Sequence, residues 1–447
     1  MFVRGVGQGQ VGTRAHVPAP SGYEPELDPA RGLRSMRITE RCLLALGIAV
    51  ASLALAVRLP AAAQTPGRDV RAIRIGYAVS KTGPYSTGAS VTTIPNYRLW
   101  VHDVNAKGGI FLRSLNQRVP VEVVEYDDRS SPEEAIRAIQ RLVNQDRVDF
   151  LLPPWGTAMN LAVAPVFAQA GYPHLGVTNL SDRTSEVASR YPTYMSFLGT
   201  SSQYAEAVFG LLGELYRSGK IGRRVAMVYV DDAFGLELSS AARQVVGGHG
   251  LELVYAQAYP LGIGDLQPII VEAMRRSADA FVAFSYPPDT FGLARAAKVL
   301  GFNPGVFYTA VGTAFPIFRD QLGADAEGVM GIGGWDPARA EIQEYLRRHR
   351  QVTGQEPDRW ASAVTYASLQ VLEQAIERVG TIDRKGVLDA IKGGSFETII
   401  GTVKLDSSVY YGNWLVGQWQ RGDFVAVWPA GRRGAAQAMV PKPQWSR

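Results

Sequence analysis

Cys42 is the only cysteine in the sequence. It opens an apolar segment that reads as removed on export, so a mature chain without any cysteine is expected. Disulfides and thiolate metal sites are thereby excluded. Histidine is scarce too, at positions 16, 102, 174, 249 and 349. Those spacings build no local metal site, and solvated or hydrogen-bonded rings are the expectation. The sequence has no G-x-x-x-x-G-K-[ST] phosphate loop and no G-x-G-x-x-G after its first strand-like run. It has no G-x-S-x-G elbow and no H-E-x-x-H pair. No catalytic set, metal or cofactor is expected.

Long apolar runs are nearly missing as well. The exception, residues 42–57, follows Arg37 and Arg41 and leads to Pro60-Ala61-Ala62-Ala63-Gln64. A basic segment, a short apolar core and an A-x-A site form an export signal, with cleavage expected after Ala63. The run is short for a spanning helix, and Cys42 lies at its start rather than its end, which argues against a lipid anchor. Residues 1–35 are rich in Gly, Pro and Arg without periodicity, either as a leader or as sequence ahead of a true start at Met36. A soluble, periplasmic mature protein is expected.

Lysine and arginine outnumber acids by 46 to 41, and the pI is near 9.2. Seven of the arginines and four of the acids fall in 1–63, so the remainder is close to neutral with both signs interspersed. This excludes a nucleic-acid footprint. At 447 residues, with 46% hydrophobic residues, the chain can build two or three cores.

From about Arg71, short β-rich runs alternate with helical patterns. Strands are expected at 73–79, 121–126, 148–152 and 174–177, with helices at 92–105, 132–145 and 158–170. After a connecting stretch near 191–200 the rhythm resumes, with strands at 225–230, 253–259, 280–284, 306–310 and 329–332 and helices at 235–246, 266–276 and 290–300. Such alternation predicts an α/β protein with parallel sheets flanked by helices, and two sets of it predict two lobes. Helices at 341–350 and 361–379 and a tail of short strands at 402–428 complete the pattern. Asp127-Asp128 and Asp231-Asp232 resemble catalytic pairs, but each closes a strand, where aspartate commonly caps the next turn or helix.

Ligands of open α/β sheets settle outside the carboxyl ends of the strands. The segments there supply Tyr85 and Thr87, Trp155, Thr157 and Ala158, Thr178, Asn179 and Ser181, Phe234, Tyr286, and Val311. Thr157 begins a helix, where its hydroxyl and the free backbone N–H groups suit a carboxylate. Each charge-assisted hydrogen bond there contributes about 1.5–3 kcal/mol. Trp155, Phe234 and Tyr286 are suited to wall an apolar ligand body.

These features, in order, carry a family resemblance: Ile73-Arg74-Ile75-Gly76 leading to Thr82-Gly83-Pro84; Val104-Asn105-Ala106-Lys107-Gly108-Gly109-Ile110; Tyr126-Asp127-Asp128; and Thr365-Tyr366-Ala367-Ser368-Leu369-Gln370. The chain resembles the leucine/isoleucine/valine-binding family of type I periplasmic solute-binding proteins of ABC transporters. The resemblance implies two lobes, 71–199 with 337–400 and 203–335 with 403–430, joined by crossings near 199–203, 335–337 and 400–403. It implies that Thr157 offers a hydroxyl to a ligand carboxylate, that Thr178 and the Leu180–Ser181 stretch add polar contacts, that Tyr286 closes over the ligand, and that Phe234 lines the second lobe. The family's acid for a ligand α-ammonium falls at Val311. A buried ammonium without that partner costs several kcal/mol, so a carboxylate ligand without an α-amine, aromatic or branched, is expected, unless Asp232 or Asp289 substitutes.

Three functional classes fit this reading. The first is a monomeric binding protein that delivers a small carboxylate or amino acid to an inner-membrane permease by hinge closure. The second is a sensor for a membrane receptor or regulator, which a neighbouring kinase or regulator gene would favour over permease and ATPase genes. The third is an exported enzyme, which turnover of the bound acid would reveal.

Overall fold

The computed structural model describes residues 71–446 except 337, 338 and 406. The export signal, Cys42, Met36, the cleavage after Ala63 and Pro337 of one crossing lie outside the described residues.

The first half runs β1 (Ile73–Val79), α1 (Ser86–Val91), α2 (Thr93–Ala106), β2 (Ile110–Leu112), β3 (Gln117–Val119), β4 (Val121–Asp127), α3 (Pro132–Asn144), β5 (Phe150–Leu152), α4 (Thr157–Gln169), β6 (His174–Gly176), α5 (Thr184–Arg190) and β7 (Tyr194–Ser196). β1 is the middle strand of the order β4-β1-β5 and pairs in parallel with both neighbours, Ile73 opposite Val121 and Ile75 opposite Phe150. A middle strand covered on both faces reads as near-continuous apolar sequence, as Ile73–Val79 does. α3 shows why its segment is helical. The Ser131 side chain accepts the Glu134 N–H, Pro132 opens the first turn with Glu133 and Glu134, and Arg141 lies in the last turn. Its buried face is Ala135, Ile139 and Leu142.

The chain then forms α6 (Ser201–Arg217), β8 (Arg224–Val230), α7 (Ala233–Val245), β9 (Glu252–Tyr259), α8 (Gln267–Arg275), β10 (Ala280–Phe284), α9 (Pro287–Leu300), β11 (Val306–Thr309), α10 (Pro316–Leu322) and β12 (Met330–Ile332). α11 (Ala340–Thr353) and α12 (Ser362–Val379) return to pack on α2, followed by α13 (Arg384–Lys392) and the hairpin β13 (Ser395–Thr398) and β14 (Gly401–Lys404). β15 (Val416–Gln420) and β16 (Asp423–Trp428) go back to the second sheet. That sheet has the order β16-β15-β12-β11-β10-β8-β9, parallel from β9 to β12 and antiparallel beyond. The chain thus passes between the two sheet systems three times, in the two-lobed α/β architecture expected from the sequence.

Three local differences stand out. The stretch near 191–200 contains β7, paired with β6. Gln203, read as part of a crossing, lies inside α6. Residues after Gly108-Gly109 form the β2–β3 hairpin. Among the described residues no helix is long and apolar enough to cross a membrane.

Candidate functional site

Strand order determines where the site lies. In the first sheet β1 leads to β4 on one side, while β5, on its other side, leads away from it. In the second β8 leads to β9 on one side, while β10, on its other side, leads to β11. The loops after β1 and β5, and those after β8 and β10, therefore diverge at switch points, where a crevice opens outside the strand ends. The first pair of loops carries Tyr85, Trp155 and Thr157; the second carries Asp232, Phe234 and Tyr286.

The two sets of loops touch. Tyr85 and Trp155 have ring centroids 5.6 Å apart, and Tyr286 lies 5.1 Å from Tyr85 and 5.4 Å from Trp155. Phe234 stacks on Tyr286 at 5.1 Å. All four side chains are buried. The Tyr85 hydroxyl donates to Asp232 Oδ2 at 3.1 Å and the Tyr286 hydroxyl to the same oxygen at 2.8 Å, while Asp232 Oδ1 accepts the Gly235 N–H and caps α7. Burial pushes the Asp232 carboxyl above the usual range, against the hydrogen bonds from Gly235, Tyr286 and Tyr85 that pull it down. A second cross-contact lies nearby. Ser181 Oγ donates to Glu237 Oε1 and the Asp182 N–H to Glu237 Oε2, both at 2.9 Å.

Trp155 packs as it does because Gly88 faces it across α1. A Cβ on Gly88 would come within 2.2 Å of the indole ring. Among the described residues the buried Trp155 Nε1–H has no hydrogen-bond partner. Gly156, at φ +100°, is the N-cap of α4 and leaves the first-turn N–H groups around Thr157 and Ala158 outside the helical ladder. Thr157 does not cap that helix with its side chain. Its Oγ1 accepts the Leu180 N–H at 3.1 Å, while Thr178 Oγ1 accepts the Gly156 N–H at 3.0 Å. The two hydroxyls cross-brace the loops after β5 and β6. Asn179 donates to the Tyr194 hydroxyl at 2.7 Å, and its buried Oδ1 has no partner among the described residues.

The structure thus brings Tyr85, Trp155, Phe234 and Tyr286 into one group and places Thr157, Ala158, Thr178, Asn179 and Ser181 on the adjoining loops. Thr87, on α1, is only half-buried, and among the described residues its side chain makes no hydrogen bond to the others. Val311 is buried, its N–H donated to the Ser285 carbonyl and its own carbonyl accepting from Thr290. Asp289, in the first turn of α9, is buried, and burial pushes its carboxyl up to about 6. His174, whose Nε2 lies 2.9 Å from Asn160 Oδ1, is pushed down to about 3 by burial, as a neutral core ring. The Asp127 side chain takes three backbone N–H groups of its turns. Gly88, Glu237 and the paired role of Asp232 were not singled out from sequence. Their partners are distant in the chain, 147 residues in the case of Tyr85 and Asp232.

Two parallel-type sheets whose switch-point loops meet across a crevice define a bilobal solute-binding architecture. The chain belongs to the periplasmic binding protein family, whose model matches residues 72–422. It is 23% identical over 354 residues to a Leu/Ile/Val-binding protein homolog 7 of Brucella abortus, covering 74% of this chain and 84% of that protein. Among solved structures it is similar to the branched-chain amino acid binding protein LivJ of Streptococcus pneumoniae, in complex with isoleucine (TM-score 0.68, 19% identity, 83% of this chain and 100% of that one). It is also similar to a solute-binding protein of an ABC transporter from R. palustris, in complex with benzoate (TM-score 0.66, 17% identity, 84% and 98%). The family is one of binding proteins, which bears out the expectation of a non-catalytic chain.

Proposed function

We propose that the protein is exported to the periplasm, with cleavage after Ala63, and delivers a small carboxylate without an α-amine to an inner-membrane ABC permease. The lobes are 71–199 with 337–400 and 203–335 with 403–430. The ligand carboxylate meets the first turn of α4 and the Thr157 hydroxyl, with Ala158, Thr178, Asn179 and Ser181 around it. Its flat body lies against Trp155, Tyr85, Phe234 and Tyr286, and Thr87 borders the entrance. The observation that carries this reading is the pairing of an uncharged, buried Val311 with an Asp232 whose Oδ2 already accepts two tyrosine hydroxyls. With Asp232 so engaged, an ammonium entering among the rings lacks a free acid, and an unpaired buried one costs several kcal/mol. Similar structures hold benzoate in one case and isoleucine in another, so a fold of this kind serves both kinds of ligand.

Closure follows from contacts made by both lobes, which favour the closed form when ligand is bound. One observation favours an amino-acid ligand instead: Asp232 stands among the rings, and an ammonium could displace the tyrosine hydroxyls from it. Calorimetric titration of the refolded, ligand-free protein separates the two. Benzoate-type acids binding more tightly than leucine supports the proposal, and tight leucine binding without any response to such acids contradicts it.

A further inference from the structure

A cavity of about 470 Å³ shares no lining residue with the aromatic group. Its volume falls within the range of small-molecule sites. Its wall draws on all three passages between the sheet systems: Leu198 and Tyr204 at the first, Trp335 and Arg339 at the second, and Ile400 and Trp414 at the third. Trp335, Trp360 and Trp414 supply flat apolar surface.

The charged side chains of the wall are Arg339, Arg432 and Arg433 against Asp336 and Glu341, so cations outnumber acids. The buried Trp360 indole N–H and Tyr204 hydroxyl have only one another as polar neighbours, and among the described residues Arg339 Nε is buried without a hydrogen-bond partner. Arg339 does reach Glu341, 3.8 Å away through Nη2, which leaves the Nε–H free of it. Arg432 stacks over Trp414 at 4.3 Å and donates to the Gly412 and Asn413 carbonyls. Buried N–H donors without acceptors are costly unless something supplies oxygen. Donors among indole faces match a planar anion.

We infer that this cavity is a second ligand site, for a small aromatic carboxylate, and that its occupation biases the opening of the two lobes. The acid's oxygens accept from Arg339 Nε–H and from the Trp360 and Tyr204 pair, and its ring lies among the three indoles. Because the wall includes all three passages, a ligand there holds one hinge geometry and changes affinity at the crevice, a coupling that rests on the closure proposed above.

The test is calorimetric titration of the ligand-free protein with benzoate and with 2-naphthoate. The unaltered protein is expected to show two classes of site. Thr157→Val removes the crevice class and leaves the other. Arg339→Met weakens the second class about tenfold or more, and Tyr204→Phe, which deletes a hydroxyl whose one polar neighbour is the Trp360 indole and keeps the ring in place, weakens it several-fold; neither abolishes the crevice class. A single class that depends on Thr157 and ignores both substitutions overturns the inference and leaves the crevice reading standing. A single class that depends on Arg339 supports the cavity and contradicts the crevice. No heat with either acid overturns the inference.

Discussion

Tyr85 and Asp232 stand 147 residues apart in the chain, on loops of different sheets, and the tyrosine hydroxyl donates to the carboxylate at 3.1 Å. This bond joins the two halves of the crevice directly. A hydrogen bond to a charged group contributes about 1.5–3 kcal/mol, and in the closure proposed above that energy enters the balance between open and closed forms. Tyr85→Phe keeps the ring among its neighbours and removes only the bond. Small-angle scattering is expected to show a larger radius of gyration for the variant without ligand, and ligand affinity is expected to fall about tenfold. An unchanged scattering curve together with unchanged affinity would show that the bond has no part in closure.

Gly88 makes room for Trp155. Gly88→Ala forces a methyl into the indole plane, since the approach would be 2.2 Å. Overpacking of this kind costs about 1–3 kcal/mol. Both the urea midpoint and the affinity are expected to drop, because the displaced ring is also the proposed ligand wall. Stability lost with affinity intact would remove Trp155 from the site.

On the resemblance and the proposed binding mode, Val311 stands at the position of the acid that would face a ligand amine. Val311→Glu is expected to reverse the preference, lowering affinity for benzoate-type acids at least tenfold by like-charge repulsion and raising it for leucine. Equal losses for both ligands would mean only that the core had been disturbed.

Asp289 gives a pH signature. Burial holds its carboxyl near 6, against an ordinary value of 3.8, with Asp232 adding to the rise and the neighbouring Tyr259 opposing it. Between those values the folded protein binds more protons than the unfolded one, so this group's contribution to stability falls as pH rises from about 4 to 6. Asp289→Asn removes that dependence. Relative to the unaltered protein, the variant is expected to gain on the order of 1–3 kcal/mol between pH 4 and pH 7, read from urea midpoints at both. Asp128, also near 6, is common to both proteins and cancels in the difference. Parallel pH profiles would contradict the assignment.

The strands that carry the site were the most legible parts of the sequence. β1, β8 and β10 are middle strands, covered on both faces, so their apolar runs stand out from the polar loops after them. α6 was less visible. Tyr204, Val208, Leu211, Leu212 and Leu215 are buried along with Ala205, Ala207 and Phe209, which leaves only a narrow exposed stripe of Ser202, Glu206, Glu214 and Arg217. A helix with so narrow a polar face shows its period weakly. Candidate residues came from strand ends, a local rule. Their partners did not: the bracing of Thr157 against Leu180, the space left by Gly88 and the sharing of Asp232 by two tyrosines arise only once distant loops meet.

The most direct measurement is a crystal structure of the protein with the solute that co-purifies with it, identified by mass spectrometry. The account expects density for a planar carboxylate between the loops, its oxygens within hydrogen-bond distance of Thr157 Oγ1 and the first-turn N–H groups of α4, its body against Trp155 and Tyr286. A solute with an ammonium held by Asp232, or one bound away from both sets of loops, would contradict it.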